Sequence, residues 1–228
     1  MTGDNRELKT GQPGATPTAV FAEKDFARLF AGCGAERHAA GHTLFMQGDP
    51  GDRVFGVTSG KLEISLISAD GRKLVANIET RNGLVGEIAA LDGGPRSASV
   101  TCLSDCVVVS LTRAQLLDRL AREPEIARSI IVHLCARVRW MSDEVGDQAL
   151  LALDQRLAKR ILFLSALIGD PIGWIVVSQQ EIAEFLGATR ETVNKSLSDW
   201  RAAGLVEVGR GRLRIVDARG LRRIAERL

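Results

Sequence analysis

Between Ala39 and Leu111 a turn signal interrupts the chain about every ten residues, a rhythm that admits little except short antiparallel strands. Gly41 to Phe45 runs into the turn Gln47-Gly48-Asp49-Pro50-Gly51, and Val54 to Val57 ends at Ser59-Gly60-Lys61. Leu62, Ile64 and Leu66 alternate with Glu63 and Ser65, the period-two pattern of a half-buried strand. Asp70-Gly71 marks a hairpin before Lys73 to Ala76, and Ala98 to Leu111 is expected to supply a further strand pair. A small antiparallel barrel or roll fits this pattern. A short amphipathic helix precedes it, with apolar residues at 21, 22, 26, 29 and 30. At Leu111 the period changes. Leu111 to Gln148 reads as helical, with Pro124 in a first turn, so the fold class is α+β.

Gly83 to Ser99 breaks the strand rhythm and carries chemistry. Gly86 has no Cβ to keep a ligand away from the backbone. Glu87 can accept a hydrogen bond from a sugar hydroxyl. Ile88, Ala89, Ala90 and Leu91 form a helical turn whose first amides can face a phosphate. Asp92-Gly93-Gly94-Pro95 ends that turn, and Arg96 offers a planar fork suited to a phosphate diester. Ser97 and the amide of Ala98 complete the cradle. Taken singly, Asp-Gly-Gly-Pro is an ordinary loop and Glu87–Arg96 an ordinary ion pair. Together they describe an anion site.

The helical half holds two further patterns. Ile131, Leu134, Val138, Met141 and Val145 recur at spacings of 3, 4, 3 and 4, a coiled-coil seam. A helix packed on its own domain also carries an apolar stripe. The regular seam, with Arg137, Arg139, Asp143 and Glu144 interspersed, favours a homodimer. After a boundary in Gly146 to Leu153, helical spacing resumes at Leu153, Leu157, Ile161, Leu164 and Leu167, and Trp174 to Val177 is a short strand. Ser178-Gln179-Gln180-Glu181 is a capping box for a helix reaching Gly187, and Thr189 caps the next. That helix sets Val193, Leu197 and Trp200 on one face. Arg190, Glu191, Asn194, Lys195 and Ser198 lie on the other. Val206 to Val208, a turn at Gly209-Arg210-Gly211, and Leu213 to Val216 form a wing. A helix-turn-helix with a wing, polar at its second helix start, is suited to reading DNA.

Charge agrees with this division. Residues 1–149 hold 17 Lys and Arg against 19 Asp and Glu, and residues 150–228 hold 13 against 9, so the basic half faces any polyanion. No apolar run approaches the ~20 residues of a membrane span, and residues 1–20 lack the apolar core of a signal peptide. They are expected to be a flexible arm, and the protein cytoplasmic. Cys33, Cys102, Cys106 and Cys135 are expected to be buried structural thiols, with Cys102 and Cys106 on one face of one strand. No metal motif and no nucleophile–base pattern marks an enzyme. The three histidines, His38, His42 and His133, stand outside the motifs.

The stretch from Gly86 to Ala98 closely resembles the phosphate-binding cassette of cyclic-nucleotide-binding domains. Gln180-Glu181-Ile182-Ala183, Gly187 and Arg190-Glu191-Thr192-Val193 resemble the helix-turn-helix of the Crp/Fnr family of bacterial regulators. The resemblance covers about residues 20–217. It implies an arm at 1–20, a cyclic-nucleotide-binding β-roll at 21–123, a dimerisation helix at 124–148 and a winged helix-turn-helix at 149–228. It implies that Gly86 and Glu87 hold the ribose 2′-hydroxyl of cyclic AMP or cyclic GMP, and Arg96 and Ser97 its phosphate. Ile88, Ala89 and Ala98 would line the same pocket.

In family members that bind cyclic AMP, a Thr-Ser pair on the dimer helix contacts adenine. The matching residues are Met141 and Ser142, which leaves the choice between cyclic AMP and cyclic GMP open. A second guanine-reading arginine of the family is Lys195 here, a point charge in place of a fork. Ser178, Gln179, Thr189, Arg190, Glu191, Thr192, Asn194, Lys195 and Arg212 are the expected DNA contacts. The implied target is a palindrome of TGTGA-like half-sites, with RNA polymerase as a further partner and no membrane. A Crp/Fnr-type regulator answering redox, haem or another nucleotide, or binding DNA constitutively, is the alternative.

Overall fold

The computed structural model describes residues 21–226; the expected N-terminal arm at 1–20 lies outside them. The described residues fall into two compact units, the first of residues 21–146 with 183–188 and the second of residues 147–182 with 189–226.

The first unit opens with α1 (Glu23–Leu29), whose Phe26 and Leu29 are buried. Eight strands follow: β1 (Ala35–His38), β2 (Thr43–Phe45), β3 (Arg53–Ser59), β4 (Leu62–Ile67), β5 (Lys73–Glu79), β6 (Leu84–Val85), β7 (Ser99–Cys102) and β8 (Cys106–Thr112). They make two four-stranded antiparallel sheets, ordered β1-β8-β3-β6 and β2-β7-β4-β5. One apolar cluster joins the sheets through Val57, Leu62, Ile64, Val85, Val100 and Val108. A second joins α1 to Leu84, Leu111 and the helices that follow. The expected roll is observed.

Three details correct the sequence reading. The segment Ala98–Leu111 gives two strands that do not pair with each other. β7 joins β2 and β4, and β8 joins β1 and β3, so the turn between them carries the chain from one sheet to the other. Cys102 ends β7 and Cys106 begins β8, so they do not share a strand, although both are buried. Cys135 is exposed and is no core thiol. β1 was also not anticipated. Its sequence Ala-Glu-Arg-His has no apolar alternation, and it is held by pairing with β8.

Helix α2 (Glu87–Asp92) interrupts the strands between two left-handed glycines, Gly86 (φ 77°) and Gly93 (φ 78°). Helix α3 (Arg113–Arg122) starts at a capping box, Thr112 with Gln115, and ends at Glu123 because Pro124 follows. Pro124 then opens α4 (Pro124–Leu150) at the position where its missing N–H costs nothing. Ile126 and Ile130 of α4 are buried in the first unit, whereas Ile131, Val138, Met141 and Val145 are 60%, 62%, 54% and 68% exposed.

In the second unit α5 (Leu153–Ile168) buries Leu157, Ile161 and Leu164. β9 (Trp174–Val176) precedes α6 (Gln179–Leu186) and α7 (Arg190–Ala202), and β10 (Val206–Gly209) and β11 (Arg212–Ile215) form the hairpin. β9 pairs with β11, so the wing is a three-stranded sheet. A last helix, α8 (Ala218–Ala225), was not read from the sequence. Asp217 caps it, and Leu221 and Ala225 bury its apolar edge.

Candidate ligand cassette and nucleic-acid interface

The cassette is built around one guanidinium. Arg96 is 4% exposed, and its Nη1 donates to the carbonyls of Arg53 (2.6 Å) and Gly86 (3.1 Å). Its Cζ lies 4.1 Å over the centre of the Phe45 ring. Burial lowers the Arg96 pKa, opposed by Asp52, Asp49 and Glu87, and the group remains a cation. Gly86 is required here on two counts: its φ is left-handed, and a Cβ would strike the Arg96 guanidinium.

Glu87 is 1% exposed and does not pair with Arg96. Its Oε1 accepts from Nη1 of Arg137 on α4 at 2.6 Å, while its Oε2 has no hydrogen-bond partner. A buried carboxylate oxygen left unsatisfied is costly. Arg113 fixes the far end of α2, donating to the carbonyls of Ala90 (2.6 Å) and Leu91 (2.7 Å). These bonds satisfy carbonyls that a helix end leaves open.

Gly86, Glu87, Ile88, Ala89, Arg96, Ser97 and Ala98 all line one cavity of about 20 Å³, together with Phe45, Ile64, Val85, Val100 and Arg137. The volume suffices for a single water molecule. Met141 and Ser142 do not line it. Met141 is exposed, and the Ser142 hydroxyl donates to the Val138 carbonyl at 3.0 Å. Sequence reasoning missed Phe45, Arg113 and the role of Arg137, which reads along α4 as one more charge flanking the seam. Only folding reveals that this charge meets Glu87, 50 positions earlier. Among the described residues, no group of three or more His, Cys, Asp and Glu could hold a metal. His38 and His42 stack on each other at 4.4 Å.

The second unit presents a different surface. Ser178 caps α6: its Oγ accepts from the Glu181 amide at 3.1 Å, and Glu181 Oε2 accepts from the Ser178 amide at 2.6 Å. Gly187, at φ 60°, makes the turn. Thr189 Oγ1 accepts from the Thr192 amide at 3.2 Å and starts α7. Val193, Leu197 and Trp200 anchor that helix, while Arg190, Glu191, Thr192, Asn194 and Lys195 are exposed. A groove of about 400 Å³ runs between the two helices and the wing. Ser178, Gln179, Arg190, Arg210 and Arg212 are among its walls. The Arg212 guanidinium lies 4.4 Å over the Trp174 ring and that of Arg214 5.1 Å from it, with Arg214 also paired to Glu207. Thr189, Glu191, Thr192, Asn194 and Lys195 lie outside the groove walls, on the open face of α7.

Comparison with known proteins agrees with both halves. Residues 35–123 match the family description "Cyclic nucleotide-binding domain", and residues 155–224 match "Crp-like helix-turn-helix domain". The CRP-like cAMP-activated global transcriptional regulator of Mycobacterium tuberculosis is 34% identical over 190 residues, covering 81% of this chain and 85% of that protein. The cyclic AMP receptor protein of Thermus thermophilus is 28% identical over 186 residues, covering 81% and 85%. The same fold occurs in the solved structure of the c-di-GMP responsive global regulator CLP of Xanthomonas campestris. It aligns with a TM-score of 0.76 at 23% identity, over 85% of this chain and 99% of that one. No helix among the described residues is long and apolar enough to cross a membrane. With a nucleotide-binding roll and a helix-turn-helix in the same order as these regulators, the chain belongs to the Crp/Fnr family of DNA-binding transcription regulators.

Proposed function

We propose that this chain is a cytoplasmic, homodimeric regulator whose affinity for DNA is set by cyclic AMP or cyclic GMP in the β-roll. One observation carries the ligand assignment. The cavity beside α2 brings together a buried cation, Arg96, and a buried carboxylate whose Oε2 lacks a partner, Glu87. A cyclic nucleotide complements both, with its phosphate on Arg96 and Ser97 and its ribose hydroxyl donating to Glu87 Oε2. The names of the mycobacterial and Thermus relatives favour cyclic AMP.

The cavity's small volume supports an allosteric reading. A nucleotide enters only as the walls separate, and one of those walls is Arg137 of α4. Ligand binding therefore acts on the helix whose exposed apolar seam we assign to the dimer. Met141 and Ser142 would meet the base across that dimer. Movement of α4 would pass through the break before α5 to the helix-turn-helix. Such control needs the ligand to bind the two arrangements with different affinity. The proposed target is a palindrome of TGTGA-like half-sites, read by Arg190, Glu191 and Lys195, with Ser178, Gln179, Thr189, Thr192, Asn194 and Arg212 near the backbone. RNA polymerase is the proposed protein partner. Calorimetry with each cyclic nucleotide tests the ligand assignment: binding of at least one is expected, and binding of neither refutes it.

A further inference from the structure

Behind the cassette lies a second buried carboxyl. Asn77 and Glu79 of β5 stand opposite Ile64 and Leu62 of β4, so their side chains point with those two residues into the roll. Asn77 Nδ2 donates to Glu79 Oε1 at 3.1 Å. Asn77 Oδ1 and Glu79 Oε2, like Glu87 Oε2, are buried without a hydrogen-bond partner.

Charged and polar groups act on Glu79 from three elements: Asn77 on its own strand, Glu87 on α2 and Arg137 on α4. β4 offers only the uncharged Leu62 opposite it, and the loop after β5 packs Gly83 so closely that a Cβ would strike Glu79 Oε2. Burial pushes the Glu79 carboxyl up to about 8. Attraction by Arg137 opposes the rise, repulsion by Glu87 adds to it, and the Asn77 hydrogen bond opposes it.

A single guanidinium cannot neutralise two buried carboxylates. With Glu79 neutral, Arg137 and Glu87 balance as a bonded pair. With Glu79 ionised, the group carries an uncompensated buried negative charge, which is strongly unfavourable.

We propose that Glu79 is a proton-operated regulator of the ligand cassette: protonated, it leaves Arg137 to Glu87, and ionised, it competes for Arg137, loosens α4 from α2 and weakens cyclic-nucleotide binding. The inference rests on the ligand assignment above. A bound cyclic phosphate adds negative charge near Glu87, so ligand and proton bind cooperatively. Neither the cassette pattern nor the helix-turn-helix pattern includes position 79.

The test is calorimetry with cyclic AMP and cyclic GMP from about pH 6.5 to about pH 9.5, on the full chain and on Glu79→Gln. For the natural chain, Kd is expected to be flat below about pH 7.5 and to rise towards about tenfold per pH unit above 8. Glu79→Gln is expected to keep the neutral-pH Kd within about threefold and to lose the pH dependence. A natural chain with constant affinity to pH 9.5, or a Glu79→Gln variant with the same slope, overturns the proposal. A ligand-free measurement separates this from failure of the ligand assignment. In carbon-13 spectra of glutamate-labelled protein, one carboxyl should titrate near pH 8, in step with the Arg137 side-chain signals, and be missing in Glu79→Gln. If no nucleotide binds but that titration is seen, only the ligand assignment falls. If no such titration exists, the regulator itself is refuted.

Discussion

Replacing Arg96 separates its two tasks, holding the cassette together and holding an anion. In Arg96→Ala, the Arg53 carbonyl loses the Arg96 donor at a partly buried position, while the Gly86 carbonyl keeps the Ala90 amide. Leaving a buried acceptor unsatisfied costs about 1–3 kcal/mol, so the variant should unfold at lower temperature. Its ligand affinity should also fall by about 2–3 kcal/mol, or 30- to 150-fold in Kd, through loss of a charge-assisted contact. Arg96→Lys discriminates between the tasks. Lysine retains the charge but replaces a planar fork with a single point, and it lacks the flat face that rests on Phe45. It should recover most of the thermal stability and only part of the affinity, remaining about tenfold weaker than the natural chain. Paired calorimetry and thermal melts of both variants are the assay. If both variants bind cyclic nucleotide normally while only the melting temperature moves, Arg96 is structural and the phosphate lies elsewhere.

Ile131→Asp with Val138→Asp places two charges on exposed seam positions without touching the first unit's core, and sedimentation should show monomers; an intact dimer would put the interface elsewhere. Thermal stability should also report on Glu79. Its carboxyl is raised from 4.5 to about 8, so its contribution is fully present below pH 4.5 and lost as pH rises to 8, at up to about 1.4 kcal/mol per unit. Glu79→Gln should flatten that decline, and an identical slope in the variant would contradict the assignment. Trp174→Ala should free the Arg212 guanidinium and weaken binding to all DNA sequences alike, whereas Glu191→Ala should relax preference at one base pair by about 1–3 kcal/mol. A binding-site selection that returns an undiminished motif for Glu191→Ala would remove that residue from base reading.

The parts legible in the sequence are those where one local signal decides the structure. The capping box at Ser178, the proline at the start of α4 and the glycines on either side of α2 are written in adjacent residues. The face of α7 that buries Val193, Leu197 and Trp200 follows from helical period alone. What escaped depends on chain segments meeting. β1 has no alternation and exists because β8 pairs with it, and β7 and β8 separate because the roll has two sheets. Glu87 found its partner on α4 rather than nine residues away in Arg96, because the Arg96 fork is turned toward main-chain carbonyls. Glu79 lies beyond Ala76, where the sequence pattern ends the strand, and it is turned inward because β5 continues to it through pairing with β4.

The central claim is that a cyclic nucleotide in the roll controls DNA affinity, and the most direct test is fluorescence anisotropy of a labelled palindrome with TGTGA half-sites. Saturating cyclic AMP or cyclic GMP is expected to tighten DNA binding between about 5- and 150-fold, and DNA should tighten nucleotide binding by the same factor. Unchanged DNA affinity at saturation with both nucleotides would contradict the account.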